Sequence, residues 1–163
     1  MLKRYRMWVI SLLVLAILGG FGYRTIQQNG KLEQMRIRLL EDALAPTTAE
    51  GAAYSWAEAV KERNGAWQYA VMDDRLRLQH RKEFESSNWV TGFSSPWVEN
   101  YQVIRQTQDD EGNISFKVVF DWYTSSGFAY SNSGTLVVSA FDKGTPNERW
   151  LLTSLEYSYE PEQ

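Results

Sequence analysis

From Ile114 onward the chain alternates. Ile114, Phe116, Val118, Phe120 and Trp122 share one side of an extended segment, and Ser115, Lys117, Val119, Asp121 and Tyr123 share the other. A period of two over this length predicts a strand with one buried face. Leu136, Val138 and Ala140 repeat the pattern, as do Leu151, Thr153, Leu155 and Tyr157, and Val98 to Gln108 carries a weaker version of it. Asp110-Glu111-Gly112-Asn113, Ser125-Ser126-Gly127 and Asp142-Lys143-Gly144 separate these segments, and each is short enough for a hairpin. The prediction is an antiparallel meander of four strands, one face of which other elements must cover.

Helical spacing supplies that cover. Ala53, Trp56, Ala57 and Val60 recur on one side, with Glu58, Lys61, Glu62 and Arg63 polar. Pro46 ends whatever precedes, and Thr47-Thr48-Ala49-Glu50 has the form of a capping box. Asn64-Gly65 interrupts, a second piece carries Trp67, Ala70 and Val71, and Asp73-Asp74 caps a third with Leu76, Leu78 and Phe84. Upstream, Lys31 to Ala45 places Leu32, Met35, Leu39 and Ala43 on one side of a further helix, two heptads at most and too few for a coiled-coil assignment. The fold class is therefore α+β, with helices first and the curved antiparallel sheet after.

The pattern breaks from Met7 to Tyr23, an uncharged and mostly apolar run with Lys3, Arg4 and Arg6 before it and Arg24 after it. Seventeen residues of helix rise about 25 Å, near the short end of what crosses a bilayer, and terminal arginines snorkel to make up length. The excess of cations ahead of the run places the N-terminus in the cytoplasm and the rest outside. This predicts a single-pass cell-membrane protein with a basic cytoplasmic tail at 1–6, a transmembrane signal-anchor at 7–23, a juxtamembrane helical stalk at 24–46 and an extracytoplasmic domain at 47–159. The alternative is secretion after cleavage of a signal peptide, for which Gly20 and Gly22 offer a −3/−1 pair.

Composition narrows the function classes. Residues 25–163 hold 13 Lys and Arg against 20 Asp and Glu, a balance of −7, which argues against nucleic acid or an anionic membrane surface as the main partner. With no cysteine there is no disulfide, no thiolate metal site and no thiol nucleophile. Seven Trp, nine Tyr and seven Phe supply a core without them. No phosphate loop, nucleophile elbow or metal-ligand spacing occurs, so neither a cofactor nor a metal is expected.

Candidate chemistry is sparse. His80 is the one histidine, set among Arg75, Arg77, Arg81 and Lys82 on a helix, with Asp73, Asp74 and Glu83 near it in sequence. Asp121 and Tyr123 share a strand face with Lys117. Asp109-Asp110-Glu111-Gly112-Asn113 lacks the alternating ligands of a calcium loop and reads as a turn. Trp89, Phe93 and Trp97, in the turn-rich stretch Trp89-Val90-Thr91-Gly92-Phe93-Ser94-Ser95-Pro96-Trp97, are the candidate binding residues. They either line a mouth or docking patch, or plug the end of the sheet.

Helices followed by a curved, aromatic-rich meander resemble the nuclear-transport-factor-2-like (NTF2-like, SnoaL-like, cystatin-like) superfamily. Arg63-Asn64-Gly65 with Gln68-Tyr69, the Trp89–Val98 segment and the closing Arg149–Leu155 segment are similar to those of small secreted or membrane-anchored members of the Gram-positive bacterial type. The resemblance covers Thr47 to Tyr157. It implies a cone-shaped domain. In the superfamily's enzymes an Asp and a Tyr from the meander line the cone, the role it would give Asp121 and Tyr123. An anchor joined to such a domain also resembles assembly factors of type IV secretion and conjugation systems. It is similar too to the membrane-proximal spacer domain of the methicillin-resistance penicillin-binding protein, although no Ser-x-x-Lys motif is present. The expectation is a non-enzymatic membrane-anchored binding module acting on an envelope or membrane protein. The alternatives are a small-ligand-binding or enzymatic pocket using Asp121, Tyr123 and His80, and an oligomeric subunit of a secretion-type assembly, for which a homo-oligomer is expected.

Overall fold

The computed structural model describes Gln28 and residues 30–157, so the 7–23 run and its flanks lie outside the described residues. The chain divides into two compact units between Ala43 and Leu44. Residues 30–44, all but the last in the first unit, are helical (α1), and Leu32, Met35, Ile37, Leu39, Leu40 and Leu44 on them are exposed. Among the described residues no helix is long and apolar enough to cross a membrane.

The second unit is α+β. Helices α2 (Ala49–Lys61), α3 (Gly65–Ala70) and α4 (Asp74–Ser86) precede strands β1 (Trp97–Gln108), β2 (Ile114–Thr124), β3 (Gly127–Phe141) and β4 (Arg149–Tyr157). The strands form one antiparallel sheet in the order β1-β2-β3-β4, the meander that the alternation predicts.

Each helix starts on a short polar side chain that takes an otherwise orphaned backbone N–H. Thr48 accepts from Gly51 N, Asn64 from Trp67 N and Asp73 from Leu76 N. The first of these corrects the capping box. The cap is Thr48, one residue later than the Thr47 frame requires, so Glu50 falls outside the reciprocal position and instead accepts from Arg105 Nη1 on β1 at 2.7 Å.

Phe116, Val118 and Phe120 of β2, Leu136 and Val138 of β3 and Leu152 of β4 are buried against α2. That helix presents Ala49, Ala52, Ala53 and Ala57, all buried. Small side chains let its backbone approach the sheet, and Trp56 fills the remaining space. Its ring meets those of Phe120 and Tyr157 edge-on, at centroid distances of 5.9 and 5.6 Å, a favoured aromatic geometry.

The two edges of the sheet are managed differently. Beside β4, Leu152 N donates to Val71 O and Asp73 N to Leu152 O, and Trp150 N donates to Pro46 O, so the segment between α3 and α4 pairs with its outer edge. On β1 the register slips between Val98 and Asn100, the kind of bulge that disrupts edge-to-edge pairing. The hairpins at 109–113 and 142–148 lie at one end of the sheet. Trp97, Tyr123 and Gly127 lie at the other, where the site forms.

Candidate functional site

At that end the backbone turns sharply and is tied back to the helices. Asn88 and Trp89 both have φ in the left-handed region, +51° and +63°, and Trp89 N returns to Phe84 O at 2.8 Å. The Trp89 ring stacks on Phe84 and meets Tyr69 edge-on, with centroids 5.9 and 5.2 Å away. Gly65 N donates to Trp89 O at 2.8 Å. A Cβ on Gly65 would stand 2.8 Å from Phe84 Cδ1 and 3.0 Å from Trp89 O, so glycine is what lets α3 start this close to the loop. Gln68, 2% exposed, donates its amide to Ala59 O and Thr91 Oγ1.

The rest of the loop hangs on one side chain. Arg63 Nη2 donates to Ser94 O at 2.6 Å and Pro96 O at 3.0 Å, and Nη1 to Gly92 O at 3.3 Å. Its own carbonyl accepts from Thr91 N at 3.0 Å. Arg63 itself is left-handed, at φ +55°, a conformation costing a non-glycine residue about 1–2 kcal/mol. A guanidinium carries five donors in a rigid planar fork, so it can hold three carbonyls of one loop simultaneously.

Between this loop and the sheet lies a cleft of about 460 Å³. Val60 and Arg63 bound it from the end of α2, Glu83 and Ser87 from the end of α4, Val90 to Pro96 from the loop, and Val98, Trp122 and Tyr130 from the sheet. Trp122 and Tyr130 are cross-strand partners and stack at 5.9 Å with 21° between planes. Asn132, 2% exposed, fixes the indole by accepting from Trp122 Nε1 at 2.8 Å. Phe93, 76% exposed, stands at the rim. The lining is amphipathic, with the stacked Trp122–Tyr130 pair, the exposed Phe93 ring, serine and threonine hydroxyls and one charge of each sign, Arg63 and Glu83. It is suited to holding an apolar or planar group whose edges carry polar atoms.

Of the three candidate binding residues, Phe93 alone lines the cleft. Trp89 is half-buried and packs against the core beside Tyr69 and Phe84. Trp97 is half-buried at the start of β1, pairs across the sheet with Tyr123, and donates its indole N–H to Glu99 Oε2 at 2.8 Å. Asp121 and Tyr123 occupy the sheet face opposite Phe120. Asp121 accepts from Ser131 Oγ at 2.6 Å and Tyr123 meets the Phe128 ring at 5.6 Å. His80 lies on α4 with Nδ1 3.2 Å from Glu83 Oε2. The structure does not bring these three together, and none of them lines the cleft.

Among the described residues no group of three or more His, Asp or Glu is placed to hold a metal ion. Asp109 instead closes its turn. It accepts from the Asn113 side chain at 2.9 Å and from the Asn113 and Glu111 backbones, and these bonds hold its carboxyl below the usual aspartate range.

Sequence reasoning missed Arg63, Trp122, Tyr130 and Asn132 as site residues. Trp122 continues the buried face of β2 and reads there as core. The one available signal for Arg63 was its place before Asn-Gly, a turn that a left-handed residue can enter. No protein-family model matches the chain, and neither does a curated protein or a solved structure.

Proposed function

We propose that this chain is a non-enzymatic, membrane-anchored binding module. The apolar run at 7–23 tethers it, with the N-terminus cytoplasmic, and an extracytoplasmic domain of NTF2-like type engages an envelope or membrane protein through the cleft beneath the 87–96 loop. The observation that carries the reading is the cleft itself, with its stacked Trp122–Tyr130 wall, its exposed Phe93 and a loop pinned by Arg63. A large exposed aromatic beside a preformed apolar wall is the arrangement expected of a recognition site. Tethering supports it further, because confinement to a surface raises the effective concentration at a membrane partner.

Crosslinking of the full chain in cells, followed by recovery under denaturing conditions, tests this. One dominant membrane or envelope partner is expected, and Phe93→Glu should abolish its recovery while the chain stays folded. Recovery unchanged by Phe93→Glu would refute the assignment of the cleft. A ladder of self-crosslinked species alone would favour an oligomeric assembly subunit instead.

A second reading has one observation behind it. A volume near 460 Å³ falls within the range of small-molecule sites, so a pocket for an amphipathic small ligand is the alternative. It predicts a rise in melting temperature with such a ligand, lost in Trp122→Ala.

A further inference from the structure

One strand outruns its neighbour. β3 spans Gly127–Phe141, and β2 pairs with it from Gly127 to Val138. On its other side β4 pairs with it only from Gly134 to Phe141, the last match being Tyr157 opposite Gly134. Among the described residues no strand lies against that side of Phe128 to Ser131. Phe128, Ala129 and Ser131 are exposed. Ala129 is set out of the β2 ladder by a register slip, and from Tyr130 onward the ladder is regular as far as Val138. The stretch from Gly127 to Gly134 holds neither a charge nor a proline, two of the devices that keep an open edge from pairing. β1, at the far side of the sheet, carries Glu99 and Arg105 as well as its bulge.

This edge belongs to the cleft. Val98, Trp122 and Tyr130 are cross-strand neighbours in one row over β1, β2 and β3, and all three line it. β4, Arg149–Tyr157, stops short of that row and supplies no lining residue.

The segment placed to take the edge is the one that follows β4, Ser158-Tyr159-Glu160-Pro161, which lies outside the described residues. Three observations favour it over a separate chain. Tyr157 is already paired at the edge, so no freedom of association is lost. The alternation of β4 continues through it: Leu155 and Tyr157 pack against the core, and Tyr159 takes the next position on that face. Pro161 falls where a proline is tolerated. Thr153 Oγ1 on β4 donates to the Val137 carbonyl at 3.3 Å, so Val137 and every second residue back to Ser131 turn their backbone groups toward the β4 side. In the continued register Ser131 faces Glu160 and Tyr130 faces Pro161. The nitrogen of Pro161 then points away from β3, where the ladder needs no N–H.

We propose that Ser158 to Pro161 extend β4 along β3 and close the β4 side of the cleft, with Tyr159 opposite Asn132 and Pro161 opposite Tyr130. Pro161 completes the row of Val98, Trp122 and Tyr130, and Tyr159 adds a ring beside the Trp122–Tyr130 stack. The proline also blunts the edge against further pairing. The docking stands on the register of the sheet, and the part of Tyr159 and Pro161 in recognition rests on the reading of the cleft given above.

Cysteine pairs introduced into this cysteine-free chain read the register. Ser131→Cys with Glu160→Cys sets opposed Cα atoms about 5.5 Å apart, within disulfide range. Ser131→Cys with Glu162→Cys sets them about 7–8 Å apart, beyond it. The purified full chain in detergent is oxidised gently with glutathione disulfide. The first pair is expected to close within one copy at least tenfold faster than the second. Equal rates would overturn the proposal. So would bridges between copies of the Ser131→Cys chain that form faster than the first pair closes, since a second copy would then hold the edge. Single-cysteine labelling with an aqueous maleimide should alternate, Tyr159→Cys reacting several-fold more slowly than Glu160→Cys and Glu162→Cys; uniform labelling would also overturn it. No partner enters these measurements. Their failure therefore leaves the cleft to its proposed partner, whereas recovery unchanged by Phe93→Glu refutes the cleft and leaves the docked segment.

Discussion

Replacing Arg63 tests whether one guanidinium holds the cleft open for use. Arg63→Ala removes two short bonds, to Ser94 O at 2.6 Å and Pro96 O at 3.0 Å, and a longer one to Gly92 O at 3.3 Å. The site is partly solvated, and a charge-assisted bond there contributes about 1–1.5 kcal/mol net. The two short bonds therefore account for about 2–3 kcal/mol of loop stability, and the third adds little. The left-handed backbone at φ +55° is equally unfavourable for alanine. Glycine removes that strain, so Arg63→Gly should recover about 1 kcal/mol of the loss. At 1.4 kcal/mol per tenfold, opening of the 87–96 segment should rise roughly 30- to 140-fold in the alanine variant. Hydrogen exchange on the full chain in detergent reads this directly. Thr91 N–H, bonded to Arg63 O, should exchange faster, while amides in the middle of β2 and β3 stay protected. Less than threefold acceleration at Thr91 would mean that the packing of Trp89 on Phe84 and Tyr69, not Arg63, sets the loop. An Arg63→Gly variant weaker than Arg63→Ala would refute the strain argument.

Phe93→Ala should change stability by less than about 0.5 kcal/mol, because an exposed side chain has little burial to lose; a clear fall in the urea midpoint would show that Phe93 is structural. Gly65→Ala should destabilise the domain by about 1–3 kcal/mol in urea unfolding, since the new Cβ meets the backbone at Trp89 as well as the Phe84 ring. Tyr101 donates to Glu58 Oε2 at 2.6 Å, and burial first, then that bond to a carboxylate, push its phenol up to about 12. A pKa raised on folding contributes stability that is intact below the unfolded value near 10. Stability should then fall as pH rises from about 10 through 12, because the unfolded chain ionises first. Tyr101→Phe should flatten that fall and cost about 0.5–1.5 kcal/mol at neutral pH. An unchanged alkaline profile in Tyr101→Phe would place the titration elsewhere.

The fold was legible where one face of an element is buried and the other wet. The alternation from Ile114 to Trp122 marks β2 and its buried side, and Ala53, Trp56 and Ala57 mark the packed face of α2. Boundaries were less so. Whether Thr47 or Thr48 caps α2 turns on which hydroxyl reaches the Gly51 amide, a matter of backbone path that two adjacent threonines do not resolve. The cleft was half legible. Its loop stood out as a run of aromatics and turn residues, yet which of those aromatics point outward follows from long-range packing. Trp89 is drawn inward by Phe84 and Tyr69, which the turn between α3 and α4 brings together. Trp122 continues the apolar period of β2 but is only half-buried, and it lines the cleft. Arg63 reads in sequence as one more charge on a polar helix face, since its three acceptors lie about 30 residues away along the chain.

The central claim, an extracytoplasmic module whose cleft is occupied at work, can be tested by one labelling measurement on this cysteine-free chain. Ser94→Cys at the cleft rim and Asn147→Cys on the exposed hairpin at the far end of the sheet would be treated with a membrane-impermeant maleimide, in intact cells and after purification. The account predicts that the Asn147→Cys chain labels in intact cells. The Ser94→Cys chain should label only once purified, because a partner covers it in the cell. If the Asn147→Cys chain labels only after lysis the domain is not outside, and if the Ser94→Cys chain labels equally in both states nothing fills the cleft.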